Sequence, residues 1–256
     1  MFDFSGKVAL VTGASSGIGR STALAFADSG ASVVVAARRE DDLKALVAEI
    51  EEQGGAASHI STDVSKAGDV EKMVAHTIET YGRLDFAINN AGIEGKMASV
   101  AELKEEDWDR VIDINLKGTF LCLKYEARAM LEGGHGGAIV NVGSVNSFRG
   151  FPTGSAYVTS KHGLIGLTTS VSGELMPHGI RVNIVCPGLI ETPMHQRIRE
   201  DLGDAVFDQG LLPRVHAARA GKPEEIAMPI LFLCSDAASY VTGTTFTPDG
   251  GFTMTL

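Results

Sequence analysis

Short apolar runs that alternate with longer amphipathic stretches constrain this chain more than any other feature of its sequence. The runs are KVALVT (7–12), ASVVVAA (31–37), AASHIST (56–62), LDFAIN (84–89), GAIVNV (137–142), IRVNIV (180–185) and TTFTPD (244–249). Between them, Leu43, Leu46, Val47 and Ile50 step three or four residues at a time, as do Leu164, Leu167, Val171 and Leu175. That is the spacing of one helix face. Strands rich in Val, Ile and Ala, without polar alternation, predict burial on both faces. Strand–helix–strand repetition predicts a parallel sheet with helices on both sides. Right-handed crossovers make this a doubly wound α/β fold, with ligands outside the carboxyl ends of the strands.

At 256 residues with 44% hydrophobic and 21% charged residues, the chain can bury a sizeable core. No Pro/Ser-rich linker divides it, so residues 1–256 read as one domain. Its least regular part is about 187–220, with Pro187, Pro193 and Pro213, which reads as a substrate loop or lid, with an ordinary surface excursion as the competing reading. The formal charge of −10 argues against nucleic acid or an anionic membrane as partner, while leaving room for a local cationic pocket. Cys122, Cys186 and Cys234 form no CxxC, as expected of reduced thiols in the cytoplasm. Asp3 and the short run Val8–Val11 do not make a signal peptide, and no stretch is apolar for the length of a membrane span. The histidines show no paired metal-ligand spacing, so no metal site is expected.

The first strand runs into TGASSGIGR (12–20), and helical spacing follows at Thr22, Ala23, Phe26 and Ala27. Gly13 suits a tight turn with φ values closed to other residues. Gly17 and Gly19 would leave space for a diphosphate, which the new helix meets with its free N–H groups. The spacing is G-x3-G-x-G, distinct from the common dinucleotide fingerprint. Further on, Tyr157 and Lys161 in YVTSK are four residues apart on one helix face. An ammonium near a phenol favours the phenolate, which predicts a lowered Tyr157 pKa and a group able to exchange a proton near neutrality.

TGASSGIG, then NNAG at 89–92, then Tyr-x-x-x-Lys, in that order, resemble the short-chain dehydrogenase/reductase family, a Rossmann-fold group of NAD(P)-dependent oxidoreductases. The resemblance runs from Lys7 to VTGTTFTPDGG near the end. It implies hydride transfer between a nicotinamide and a ketone or secondary alcohol, with Tyr157 as general acid/base. Ser144 would hold the substrate carbonyl, and Lys161 would bind the nicotinamide ribose. Asn115 would keep a water in a proton relay. The resemblance also assigns cofactor contacts to Gly13, Ser15, Ser16, Gly17, Ile18 and Gly19 of the turn. Asp63 and Val64 would meet the adenine, with Asn90, Ala91 and Gly92 along the cofactor. Pro187, Gly188, Ile190 and Thr192 would surround the nicotinamide. For Asp63 a helix N-cap before KAGDVEKMV is the competing role.

The acid that binds an adenosine ribose 2′-OH is due about twenty residues after the glycines. Position 37 is alanine, and Arg38 and Arg39 follow. A guanidinium pairs with a 2′-phosphate that a carboxylate would repel, so NADP(H) is favoured over NAD(H). For Arg39 a solvated loop position is the competing reading. Glu40 and Asp41 fit the first turn of the next helix. By the resemblance, Glu94, Val145, Asn146, Leu189 and the loop after Met194 would form a pocket for a medium-sized ketone or alcohol. A 3-oxoacyl-carrier-protein reductase remains open through Lys124 and Arg128, although LEGGHGG (131–137) offers no basic docking residue. An NAD-preferring alcohol dehydrogenase is a further alternative. A non-catalytic NADP-binding regulator would be expected to lack the Tyr or Lys. The resemblance implies a homotetramer, and the apolar end, Phe246 and Phe252 to Leu256, fits packing against another subunit or its own core.

Overall fold

Each apolar run forms a strand, and all of them join one parallel sheet. In chain order these are β1 (Val8–Thr12), β2 (Ser32–Ala37), β3 (Ala56–Ser61), β4 (Phe86–Asn89), β5 (Gly137–Val142), β6 (Ile180–Val185) and β7 (Thr245–Phe246). The spatial order is β3-β2-β1-β4-β5-β6-β7. The structure is a computed structural model and describes residues 2–204 and 207–254. Leu256 and residues 205–206 of the expected 187–220 loop lie outside the described residues.

The strand side chains divide by alternation, the period-2 rule of a pleated chain. Ala9, Val11, Val33, Val35, Ile88 and Val140 enter one core cluster. There they meet α1 (Gly17–Asp28), α2 (Glu40–Glu52) and α8 (Glu224–Cys234) through residues such as Phe26, Leu46 and Ile230. Leu10, Val34, Ala87, Ile139 and Val182 enter the opposite cluster. Its helices are α3 (Ala67–Tyr81), α5 (Gly118–Gly133) and α6 (Ser155–Leu175), which contribute Met73, Leu121 and Leu175. Each fully buried side chain of this size contributes about 1.5–3 kcal/mol, so covering both faces is what holds the sheet between its helices.

Two strands depart from the sequence expectation. β3 is only partly buried along its length, because it is an edge strand with a single neighbour. β7 pairs over Thr245–Phe246 alone, not over 244–249. Pro248 has no N–H for a ladder, its carbonyl accepts from the Gly188 N–H at 3.2 Å, and Gly250 and Gly251 turn the chain at φ of 60° and 84°.

Between α4 (Glu105–Val111) and α5 the helix does not break. It passes through a π-helical segment, Ile112–Lys117, a wide turn often found at functional sites. Among the described residues no helix is long and apolar enough to cross a membrane.

Candidate active site

Strand order reverses between β1 and β4, so the loops leaving these strands part and open a crevice. A cleft of about 610 Å³ lies there. Its floor is the turn after β1, where Gly13 takes a φ of 65°. Asn90 ties that turn to the end of β4: its Nδ2 donates to the Thr12 and Gly13 carbonyls at 3.0 and 3.2 Å. Thr12 Oγ1 in turn accepts from the N–H groups of Asn90 and Ala91. Gly13, Ser15, Ser16, Gly17, Ile18, Asn90, Ala91 and Gly92 all line the cleft, as the sequence led us to expect.

Gly19 does not line it. A Cβ there would sit 2.4 Å from Asn90 Nδ2 and 2.5 Å from the Gly13 carbonyl oxygen. Its missing side chain therefore lets α1 close against the Asn90 tie and does not clear room for a ligand. Gly19→Ala is expected to destabilise the protein by about 1–3 kcal/mol, read as a lower midpoint in urea unfolding. An unchanged midpoint would mean that the turn yields without cost.

At the other end of the cleft, β2 delivers Arg38 and Arg39 to the rim, both exposed. Arg39 is more than a solvated neighbour: its Nη2 donates to Ser15 Oγ at 2.9 Å and Ser16 Oγ at 3.1 Å. Its Nε lies 2.9 Å from Asp42 in the first turn of α2, the turn that also holds Glu40 and Asp41. Asp63 and Val64 line the same end. Asp63 does not cap α3, which begins at Ala67. It closes a local turn instead, accepting from Ser65 N–H and Oγ at 3.1 and 2.7 Å. Burial pushes its carboxyl up, but the Ser65 bonds and the charges of Lys66 and Arg38 outweigh this and leave it below the usual range.

The expected catalytic residues gather just behind the Gly92–Glu94 wall of the cleft. Asn115, buried in the π-helical segment, pairs with Ile93 through both edges of its amide. Its Oδ1 accepts from Ile93 N–H at 2.8 Å, and its Nδ2 donates to the Ile93 carbonyl at 2.9 Å and to Ser160 Oγ at 3.1 Å. A Cβ on Gly92 would lie 3.3 Å from Asn115 Oδ1 and 3.6 Å from Lys161 Nζ, so glycine lets the wall approach both. α6 presents Tyr157 and Lys161 on one face, with Nζ 5.8 Å from the centre of the phenol ring. Lys161 Nζ donates to the Val142 carbonyl at 2.9 Å, and the Tyr157 phenol lies next to Ser144.

The expected lowering of the Tyr157 pKa is not what this arrangement gives. Burial pushes the phenol up to about 12, against the opposing Ser144 hydrogen bond, with the Glu94 and Cys186 charges adding to the rise. Burial likewise brings Lys161 down to about 8. Spacing on the helix brings the two groups together, but loss of solvent governs both shifts.

The remaining expected residues divide. Thr192 lines the cleft and caps α7 (Pro193–Leu202), accepting from His195 N–H at 3.2 Å. Pro187, Gly188 and Ile190 stand outside it. The Ile190 side chain belongs to the core, and Gly188 has no Cβ because Asp249 Cα would lie 2.8 Å from one. Sequence reading gave no hint of the Glu94–Arg197 pair across the cleft mouth, at 2.5 and 3.2 Å. Nor did it single out the buried Asn89–Glu126–Asn141 network, in which Asn89 Nδ2 donates to Glu126 Oε2 and Asn141 Oδ1.

A doubly wound sheet whose crevice leads to a Ser–Tyr–Lys cluster defines an oxidoreductase of the Rossmann class, acting on CH–OH groups. The family model described as enoyl-(acyl carrier protein) reductase matches residues 13–253. The short-chain dehydrogenase/reductase astE of Aspergillus oryzae is 44% identical over 254 residues, 99% of this chain and 97% of that protein. The crystal structure of levodione reductase superposes with a TM-score of 0.95 at 36% identity, covering 99% of this chain and 100% of that one. A variant of actinorhodin polyketide ketoreductase solved with NADPH gives 0.92 at 38% identity, over 98% and 99% of the two chains. The chain belongs to the short-chain dehydrogenase/reductase family, whose members interconvert carbonyls and alcohols.

Proposed function

We propose that this protein is an NADP(H)-dependent oxidoreductase that interconverts a ketone and a secondary alcohol. One observation carries the reading: the Ser144–Tyr157–Lys161 cluster stands behind one end of a cleft whose other end carries two cations and no carboxylate at position 37. The cleft fits a dinucleotide. Its volume is in the range of small-molecule sites, and Gly17 and Gly92 bring bare backbone to its wall. When bound, NADP(H) supplies or accepts the hydride.

Ser15, Ser16 and Ile18 of the turn would hold the diphosphate region, and Arg38 and Arg39 the 2′-phosphate. Asp63 and Val64 would flank the adenine, and Asn90, Ala91, Gly92 and Thr192 the remainder, while Pro187, Gly188 and Ile190, outside the cleft lining, would only back the nicotinamide end. Ser144 orients the substrate oxygen, Tyr157 gives it or takes from it a proton, and Lys161 and Asn115 support that transfer. The 187–220 segment, tied by Arg197 to Glu94, serves as the substrate loop. The NADPH named for the ketoreductase supports the cofactor preference. The three free, buried cysteines support work in a reducing cytoplasm. Tyr240 and Phe246, exposed at 97% and 39%, support assembly into a homotetramer.

NADPH and NADH consumption across a panel of cyclic and acyclic ketones tests the reading, and no turnover with either cofactor on any ketone would sink it. Arg38→Asp is expected to lower the NADPH-over-NADH ratio of kcat/KM by about 100-fold. An unchanged ratio would remove Arg38 from cofactor choice. The acyl-carrier description of the matching family model favours keeping an oxoacyl-thioester in the panel as a second reading. Against that reading, Arg128 is already paired with Glu132 at 2.9 Å, and Lys124 lies over the Tyr125 ring.

A further inference from the structure

We propose that Ser147 is a positioning residue that fixes the aim of the Ser144 hydroxyl, with Cys186 backing it from beneath. The inference rests on the reading of Ser144 and Tyr157 given above. Ser144 leaves β5 in an extended conformation, φ −168° and ψ 162°, and opens the short 3₁₀ turn Val145–Ser147. Across that turn the two serines hold each other reciprocally. Ser144 Oγ accepts from the Asn146 N–H at 3.2 Å, and the Ser144 N–H donates to Ser147 Oγ at 3.2 Å.

Neither Ser147 nor Cys186 has room to meet a ligand. They are exposed at 2% and 0%, while Ser144 is exposed at 8%. A Cβ on Gly143 would lie 2.8 Å from both Ser147 Oγ and Cys186 Sγ, so both atoms close on one spot under the end of β5. There the Ser147 hydroxyl lies beside the Cys186 thiol. Ser147 is thus bonded to the Ser144 N–H and backed by Cys186, and acts only through Ser144.

A serine hydroxyl has one proton and two lone pairs. With one lone pair committed to the Asn146 N–H, the Ser144 side chain has a fixed rotamer. Its remaining capacity faces the Tyr157 phenol. Without Ser147 a buried N–H loses its partner, and the turn that presents the Asn146 N–H is free to relax. The hydroxyl then loses its direction while the cofactor cleft, which none of these residues lines, stays as it was.

A double-mutant cycle on NADPH-dependent reduction of the best ketone in the panel tests this. Ser147→Ala in the otherwise native protein is expected to lower kcat about tenfold, with the NADPH dissociation constant unchanged. In a Ser144→Ala background the same substitution should change kcat less than about twofold, because residues acting as a unit are not additive. An equal fold-change in both backgrounds would overturn the proposal, since a general structural role acts regardless of Ser144. A Ser144→Ala protein at native rate would instead overturn the reading of Ser144 on which the proposal rests. Ser147→Gly, which leaves no side chain to mispack, is the second variant if the alanine protein does not fold, and the same fold-changes are expected of it.

Discussion

Tyr157→Phe is expected to lower kcat by about 10³-fold while NADPH binds as before, since a positioned general acid is worth roughly 10²–10⁴-fold. The substitution removes one oxygen. It leaves the ring in place on α6, four residues from Lys161, and touches nothing that lines the cleft. What is lost is the proton that an alkoxide needs when a ketone is reduced. Lys161 should show itself in the pH profile. Its amine is brought down to about 8 by burial, so it carries its charge below that pH and loses it above. The ammonium favours the phenolate left when Tyr157 gives up its proton. The kcat/KM for reduction should therefore hold steady below about pH 8 and fall as pH rises through it. A Tyr157→Phe enzyme near native rate would refute the assignment of Tyr157, and a profile flat to about pH 10 would refute that of Lys161.

The other large effect concerns stability. Glu126 is wholly buried on α5, and burial pushes its carboxyl up to about 8, against the Asn89 hydrogen bond. Two acceptors in this network, Asn89 Oδ1 and Glu126 Oε1, have no partner among the described residues. A proton on Glu126 supplies the missing donor. The folded state thus holds a proton that the unfolded chain releases near pH 4.5. Stability from this group is highest below that pH, declines as pH rises towards about 8, and levels off above, where both states are ionised. The span corresponds to about 5 kcal/mol. Glu126→Gln removes the titration, and its amide brings a permanent donor. The variant should lose much less stability than the native protein between about pH 5 and pH 8, measured by urea unfolding at each pH. Parallel pH curves for the two proteins would refute a neutral buried Glu126.

The sheet was legible because burial on two faces leaves an uninterrupted apolar run, as in Val33–Val35, and a covering helix leaves a stepped one, as in Leu43–Leu46–Ile50. Helix spacing also placed Tyr157 beside Lys161, and the absence of an acid at position 37 was plain. The edges were less legible. β7 shares its composition with a full strand, and only the neighbours of Pro248 decide where pairing stops. Contacts made across the fold leave no local mark: Glu94 meets Arg197 over a separation of 103 residues. Glu126 sits in a helix where a carboxylate ordinarily points to water. The sign of the Tyr157 shift was missed for a related reason. Distance along a helix can be counted from sequence, but the loss of water around a side chain is set by everything packed over it. Ser147 did leave a trace, since a second serine three residues after Ser144 is the spacing of a reciprocal cap.

The amide of Asn115 holds both the N–H and the carbonyl of Ile93, as a neighbouring strand would. A segment pinned in this way has little conformational freedom left to surrender when a ligand arrives, so its ordering does not weaken binding. The same pin makes the wall a stiff lever. A displacement of Gly92 or Ile93 by an incoming molecule is handed to Asn115 and Ser160 rather than absorbed in the loop. How well a ligand seats against that wall can then influence turnover several ångströms away, in groups the ligand never touches.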